Sequence, residues 1–170
     1  MKKETKSRIL SSGEKEAPIF NQPAYNNWSG NKYAERLIAE WHKYGKIMLS
    51  VDFDDTISAW GFKSTEDERM FQKTIDTILF AQSIGAYITI FTACAPDRYE
   101  EIRKYCLSRK MVIDSINENA TEVPYGKHKK IYYNWNLCDR SGLEQAVDIL
   151  NYACYRVQSE RKPQNQNFDV

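Results

Sequence analysis

The sequence predicts an α/β fold, a Rossmann-like three-layer sandwich built on a mainly parallel sheet, and three observations carry that prediction. Short apolar runs at 47–51, 86–91, 111–116 and 131–137 alternate with longer segments in which apolar residues recur every three or four positions. Strand–helix–strand crossovers produce this alternation, with helices laid on both faces of the sheet. The first run, Ile47-Met48-Leu49-Ser50-Val51, is nearly continuous in apolar character rather than alternating, as a strand covered on both faces requires. Residues able to do chemistry stand where runs stop, Asp52 after the first and Thr92 after the second. Open α/β sheets bind ligands outside the carboxyl ends of their strands.

The elements follow in order. Residues 1–27 mix charge with Ser, Pro, Gly and Asn without a sustained period and read as a flexible extension, free to dock a protein partner. A single core is expected over 28–160. Tyr33, Leu37, Ile38 and Trp41 recur at helical spacing, giving an amphipathic helix over 31–44 that Gly45 stops. After the first strand, Met70, Phe71, Ile75, Ile78 and Leu79 mark a helix ending near Gly85. The β-rich run 86–91 follows, then a loop in which Asp97 is placed to cap a helix from 98 to about 109. Runs at 111–116 and 131–137 supply two more strands. A last helix starts near Gly142 and carries Leu143, Ala146, Val147, Leu150, Ala153, Cys154 and Val157 on one face. The tail beyond it, 161–170, is polar and expected to fray, from Gln158 onward.

Composition narrows the function. At 170 residues with a net charge of +1, the chain can bury a core without staples and projects no global field toward nucleic acid or membrane. No apolar run is long enough to span a bilayer, and Met1-Lys2-Lys3-Glu4-Thr5-Lys6 lacks the apolar core of a signal peptide. Cys94, Cys106, Cys138 and Cys154 form no Cys-x-x-Cys pair, which fits reduced thiols in a cytoplasmic protein and argues against a zinc or redox centre. Cys94 and Cys138 are nonetheless expected near the mouth of the site. With His42 and His128 alone, a His-rich metal site is not expected.

The chemistry centres on Asp52-Phe53-Asp54-Asp55-Thr56. Two carboxylates two residues apart at a strand end can hold a hard cation, or divide the roles of nucleophile and proton carrier. D-x-D-x-T after a hydrophobic strand resembles the first signature of the haloacid-dehalogenase-like (HAD) phosphohydrolases. That resemblance runs from about 46 to 157 and implies a sheet order of 3-2-1-4. It implies that Asp52 attacks phosphorus to form an aspartyl-phosphate, that Asp54 protonates the leaving group and then activates water, and that Mg2+ offsets the phosphate charge. Thr92 matches the hydroxyl of the second signature, and Thr56, Ala93 and Arg98 fall where the family binds phosphate. In the basic cluster Lys127-His128-Lys129-Lys130, Lys130 best matches the family's lysine, with Lys127 as the alternative.

The fourth signature departs from the family. An acidic pair is usual there, and this chain has Cys138-Asp139. A thiol is a poor Mg2+ ligand, leaving three outcomes: Asp139 binds the ion with waters filling the gap, the favoured one; Asp55 assists; or metal affinity and catalysis have decayed. By resemblance the metal set is Asp52, Asp54 (through its carbonyl) and Asp139. The stretches 58–85 and 92–130 are too short for a cap domain, so an open site is expected. Open sites suit substrates that cover the site themselves, such as polynucleotide ends or proteins, and short loops can also hold small nucleotides. Trp60 and Phe62 can stack on a base, with Tyr125 at the same mouth, and a nucleotide or polynucleotide end is favoured. The expected function is therefore Mg2+-dependent hydrolysis of a phosphate monoester. The alternative is a catalytically degenerate scaffold on the same fold.

Overall fold

In the computed structural model, residues 28–60, 71–119 and 131–161 are described. Expectations for 1–27, Phe62, Met70, Tyr125 and 162–170 fall outside them.

Helix α1, Lys32–Tyr44, forms where the sequence places it. Asn31 accepts from the Tyr33 and Ala34 amides through its side chain, and Gly45 closes the helix at φ 70°, the left-handed geometry that glycine adopts without strain. Ala34, Leu37, Ile38 and Trp41 make its buried stripe. Strands β1 (Met48–Asp52), β2 (Tyr87–Phe91), β3 (Ser115–Ile116) and β4 (Trp135–Leu137) form a four-stranded sheet ordered β3-β2-β1-β4. All its pairings are parallel. The register sets Asp52 opposite Phe91 and Val51 opposite Leu137. Met48, Leu49, Ser50 and Val51 are all buried in succession. Because neighbouring strand residues point to opposite faces, both faces of β1 are covered.

Helices α2 (Gln72–Ser83), α3 (Tyr99–Ser108) and α4 (Leu143–Glu160) complete the α/β fold. α4 packs against both α1 and α2. Phe80 of α2 meets Tyr155 of α4 edge-on at 4.9 Å, and Lys73 pairs with Asp148 at 2.6 Å. α3 reaches the turn after β1, where Tyr105 Oη donates to the Ile57 carbonyl at 2.6 Å and its ring stands edge-on to Phe53. All four described helices and all four described strands contribute to one core; Ile102, Ile116 and Leu137 bring α3, β3 and β4 into it. No described helix is long and apolar enough to cross a membrane.

The outer strands are shorter than their apolar runs predict. Residues 111–114 and 131–134 stay irregular, because a side chain stands in for the ladder at each entry. Asp114 Oδ2 accepts from the Ile88 amide at 2.7 Å, and Asn134 Oδ1 accepts from the Met48 amide at 2.7 Å. Each residue's own amide donates back to the same partner's carbonyl at 2.8 Å. Asp97 does not cap α3: it lies inside a 3-10 turn, Pro96–Arg98, that leads into the helix. Proline at the turn's first position sets that geometry. Gln158 to Glu160 remain helical rather than frayed, since Glu160 accepts from both Arg156 Nε at 2.6 Å and His42 Nε2 at 2.8 Å.

Candidate functional site

β1 ends at Asp52, and the chain then folds tightly on itself. The Ile57 and Ser58 amides both donate to the Phe53 carbonyl, and the Asp55 amide donates to the Ser58 carbonyl at 2.7 Å. Asp55 adopts φ 54°, a left-handed conformation that Asp tolerates better than most residues. Its Oδ1 accepts from the Trp60 amide at 2.9 Å. This closed turn leaves Asp52 and Asp54 on the wall of a cleft of about 370 Å³ at the carboxyl end of the sheet. Asp139 and Cys138, from the end of β4, form another part of its wall, and Ala93 joins them from the loop after β2.

Each wall is held from behind. Thr56 is fully buried, and its Oγ1 accepts from the Asp139 amide at 3.0 Å, tying the β4 loop to the β1 turn. Thr56 thus positions the acid and does not line the cleft. Thr92 is also buried and outside the lining. Its amide donates to Asn117 Oδ1 at 2.9 Å, its carbonyl accepts from Asn117 Nδ2 at 2.7 Å, and its hydroxyl accepts from the Cys94 amide at 3.1 Å. Arg98 reaches the cleft indirectly. Its Nη1 donates to Cys94 Sγ at 2.8 Å and lies 3.8 Å from Asp54 Oδ2, while the guanidinium stacks over Trp60 at 5.4 Å.

Two thiols contact the two leading carboxylates. Cys94 Sγ donates to Asp54 Oδ2 at 3.1 Å, and Cys138 Sγ donates to Asp52 Oδ2 at 3.3 Å. Cys138 Sγ also lies 3.6 Å from Asp139 Oδ1. Burial raises the Asp52 carboxyl above the ordinary Asp value; hydrogen bonds from Cys138 and the Phe53 amide oppose the rise, and the charges of Asp139 and Asp54 add to it. Burial likewise raises the thiols of Cys94, behind the cleft, and Cys138, on its wall.

Of the residues singled out in the sequence, Asp52, Asp54, Ala93 and Asp139 share the cleft, Thr56, Thr92 and Arg98 support it, and Lys130 and Lys127 lie outside the described residues. Among the described residues, one group can hold a metal ion: Asp52, Cys138 and Asp139, whose nearest ligand atoms lie within 4.8 Å of one another. The Asp54 and Asp55 carboxylates are not in it. The two carboxylate donors fit a hard divalent cation such as Mg2+, whereas the thiol between them does not. Reasoning from the sequence missed Asn117, which has no motif around it; it set Cys138 where a metal-ligating acid is expected, and the fold puts its sulfur within reach of both Asp52 and Asp139.

The fold and this site define the class: an α/β protein with an acidic, thiol-bearing cleft at its strand carboxyl ends. No protein-family model, curated protein or solved structure matches the chain.

Proposed function

We propose that the chain is a HAD-like phosphohydrolase of the capless type, hydrolysing a phosphate monoester through an aspartyl-phosphate on Asp52. The observation that carries this reading is convergence: the carboxylates of Asp52 and Asp54 from β1 share one cleft with Asp139 from β4. The sheet order β3-β2-β1-β4 is the one this family uses. The link from β1 to α2 covers only 53–71, too short to fold as a cap domain.

Asp52 attacks phosphorus in line with the ester bond, which breaks with its electron pair on the departing oxygen. Asp54 protonates that oxygen, then takes a proton from water as the water attacks the acyl phosphate and frees Asp52. Arg98 and Cys94 hold Asp54 for this exchange. Residues Asp52 and Asp139, with the Asp54 carbonyl, would hold the divalent cation, Mg2+ by resemblance, whose chemistry is to neutralise charge on the phosphoryl oxygens. Lys130 is the expected second cation. Trp60 and Phe91, 64% and 49% exposed on the cleft rim, offer stacking faces, so a nucleotide or polynucleotide end is the favoured substrate.

Asp52→Asn tests the reading. With Mg2+ and p-nitrophenyl phosphate, 5'- and 3'-nucleotides and phosphorylated oligonucleotide ends as substrates, turnover falls by about 10⁴ or more, the scale seen when a covalent nucleophile is removed. Turnover near wild type in that variant would take Asp52 out of its role. A second reading, a catalytically inert scaffold on the same fold, draws on Cys138 standing where an acid is expected. Under it, the wild-type chain hydrolyses none of these substrates with any divalent ion.

A further inference from the structure

We propose that Asp52, Cys138 and Asp139 form a three-ligand site for a thiophilic divalent cation of the zinc class, and that Cys138 turns the cation preference away from Mg2+. The inference rests on the phosphohydrolase reading and replaces its Mg2+ with a zinc-class ion in the same cleft. Geometry carries it. Cys138 Sγ stands 3.3 Å from Asp52 Oδ2 and 3.6 Å from Asp139 Oδ1. Zinc bonded tetrahedrally to sulfur at about 2.3 Å and to carboxylate oxygen at about 2.0 Å separates the two donors by about 3.5 Å. Both sulfur–oxygen distances therefore match those around one ion, and all three donor atoms lie within 4.8 Å of one another.

The support behind the donors is rigid. Asp52 ends β1 inside the parallel ladder, and Asp139 is fixed through its amide to buried Thr56. The donors open on the cleft, and three protein ligands with a fourth position open to solvent or substrate characterise catalytic rather than structural zinc. Mg2+ uses oxygen donors in near-octahedral geometry, so it engages two of the three groups and leaves the thiol beside it unused. Borderline ions take both donor types, and divalent zinc, cobalt and cadmium can bond sulfur as well as oxygen. Cys94 cannot do the same: the Arg98 guanidinium donates to its sulfur at 2.8 Å, and that positive charge repels a cation. On binding, the Cys138 S–H bond breaks, its proton passes to solvent and a sulfur–metal bond forms with no change of oxidation state.

Co2+ is the probe. Metal-free full-length chain titrated with Co2+ develops a near-ultraviolet thiolate-to-cobalt charge-transfer band, saturating at one equivalent. Zn2+ displaces the ion, and Mg2+ in large excess does not. Cys138→Ser loses the band and weakens Zn2+ binding by about a hundredfold, given that even residues outside the ligand shell are worth about 10–100-fold. Cys138→Asp also loses the band and gains Mg2+ binding, which shows that the variant site is still formed; Cys94→Ser keeps the band. Absence of the band in the wild type, its persistence in Cys138→Ser, or displacement of Co2+ by Mg2+ overturns the proposal. None of these readouts uses turnover. A chain that binds Co2+ through Cys138 yet hydrolyses nothing sinks the phosphohydrolase reading alone, and one that turns over with Mg2+ but shows no band sinks this proposal alone.

Discussion

Thr56 occupies the turn after β1, yet its hydroxyl serves a residue that enters with β4, accepting from the Asp139 amide at 3.0 Å. The bond is partly buried: Thr56 is enclosed, but Asp139 is exposed, so water can replace the lost acceptor and the cost is near the net worth of one hydrogen bond. Thr56→Val preserves shape and removes the acceptor. The expected outcome is a loss of about 0.5–1.5 kcal/mol of stability, read from the urea midpoint, together with weaker cation binding as Asp139 loosens. Thr56→Ser, which keeps the hydroxyl, recovers most of both. Equal stability of Thr56→Val and wild type would mean that the Asp139 loop is held by other contacts. The threonine of D-x-D-x-T was legible as a site residue, but its work behind the cleft depends on a partner 83 positions away, which no local pattern encodes.

At the scale of elements, the sequence marked every described strand but overstated the outer two. Met111, Val112 and Ile113 look like strand residues, and so do Ile131, Tyr132 and Tyr133. Apolar character records burial, and burial does not require a ladder. Asp114 and Asn134 then take the acceptor role that a strand carbonyl would have filled, a competition that short polar side chains are built for. Asn134→Ala removes the acceptor of the Met48 amide at the start of the central strand. It is expected to cost about 1–3 kcal/mol, with the largest rise in hydrogen exchange at Met48 in β1; no change in exchange there would contradict the bond's role. The end of α4 has a pH dependence of definite sign. Glu160 is held below its ordinary value of 4.5, chiefly by its hydrogen bond with Arg156 and also by His42. A lowered carboxylate contributes stability that is present above its unfolded value and is lost as pH falls through its folded value. Protection of the last turn of α4 therefore declines below about pH 4.5, and Glu160→Gln removes that step. The effect is small, since both partners are about one-third exposed and solvent screens them.

For the whole molecule, the legible part of the site was its skeleton. Asp52 ends a strand, Asp54 and Asp139 each follow one, and a parallel sheet brings strand ends together whatever the loops do. The order β3-β2-β1-β4 then sets β4 directly beside β1, which is why residues 86 apart in sequence meet at 3.3 Å. What could not be read was the separation of the sulfur from each carboxylate, 3.3 Å from Asp52 and 3.6 Å from Asp139, which strand order permits but side-chain rotamers set. The same fold divides the four cysteines into two classes, and this gives a test of the single core. Cys106 and Cys154 are fully buried within the core cluster; burial pushes the Cys106 thiol up to about 12 and raises Cys154 as well. The thiolate is the reactive form, so both core thiols are protected twice, by access and by protonation. Cys94 and Cys138 are raised too, but they are partly exposed. Iodoacetamide in native buffer is expected to modify Cys94 and Cys138 slowly and Cys106 and Cys154 hardly at all, as followed by timed quenching and peptide mass spectrometry. Added urea should bring the two core thiols into reaction together, at rates that track global unfolding, because α3 and α4 contribute to one cluster. Labelling of Cys106 well before Cys154 would show instead that α3 opens independently, and the core would then be two units rather than one.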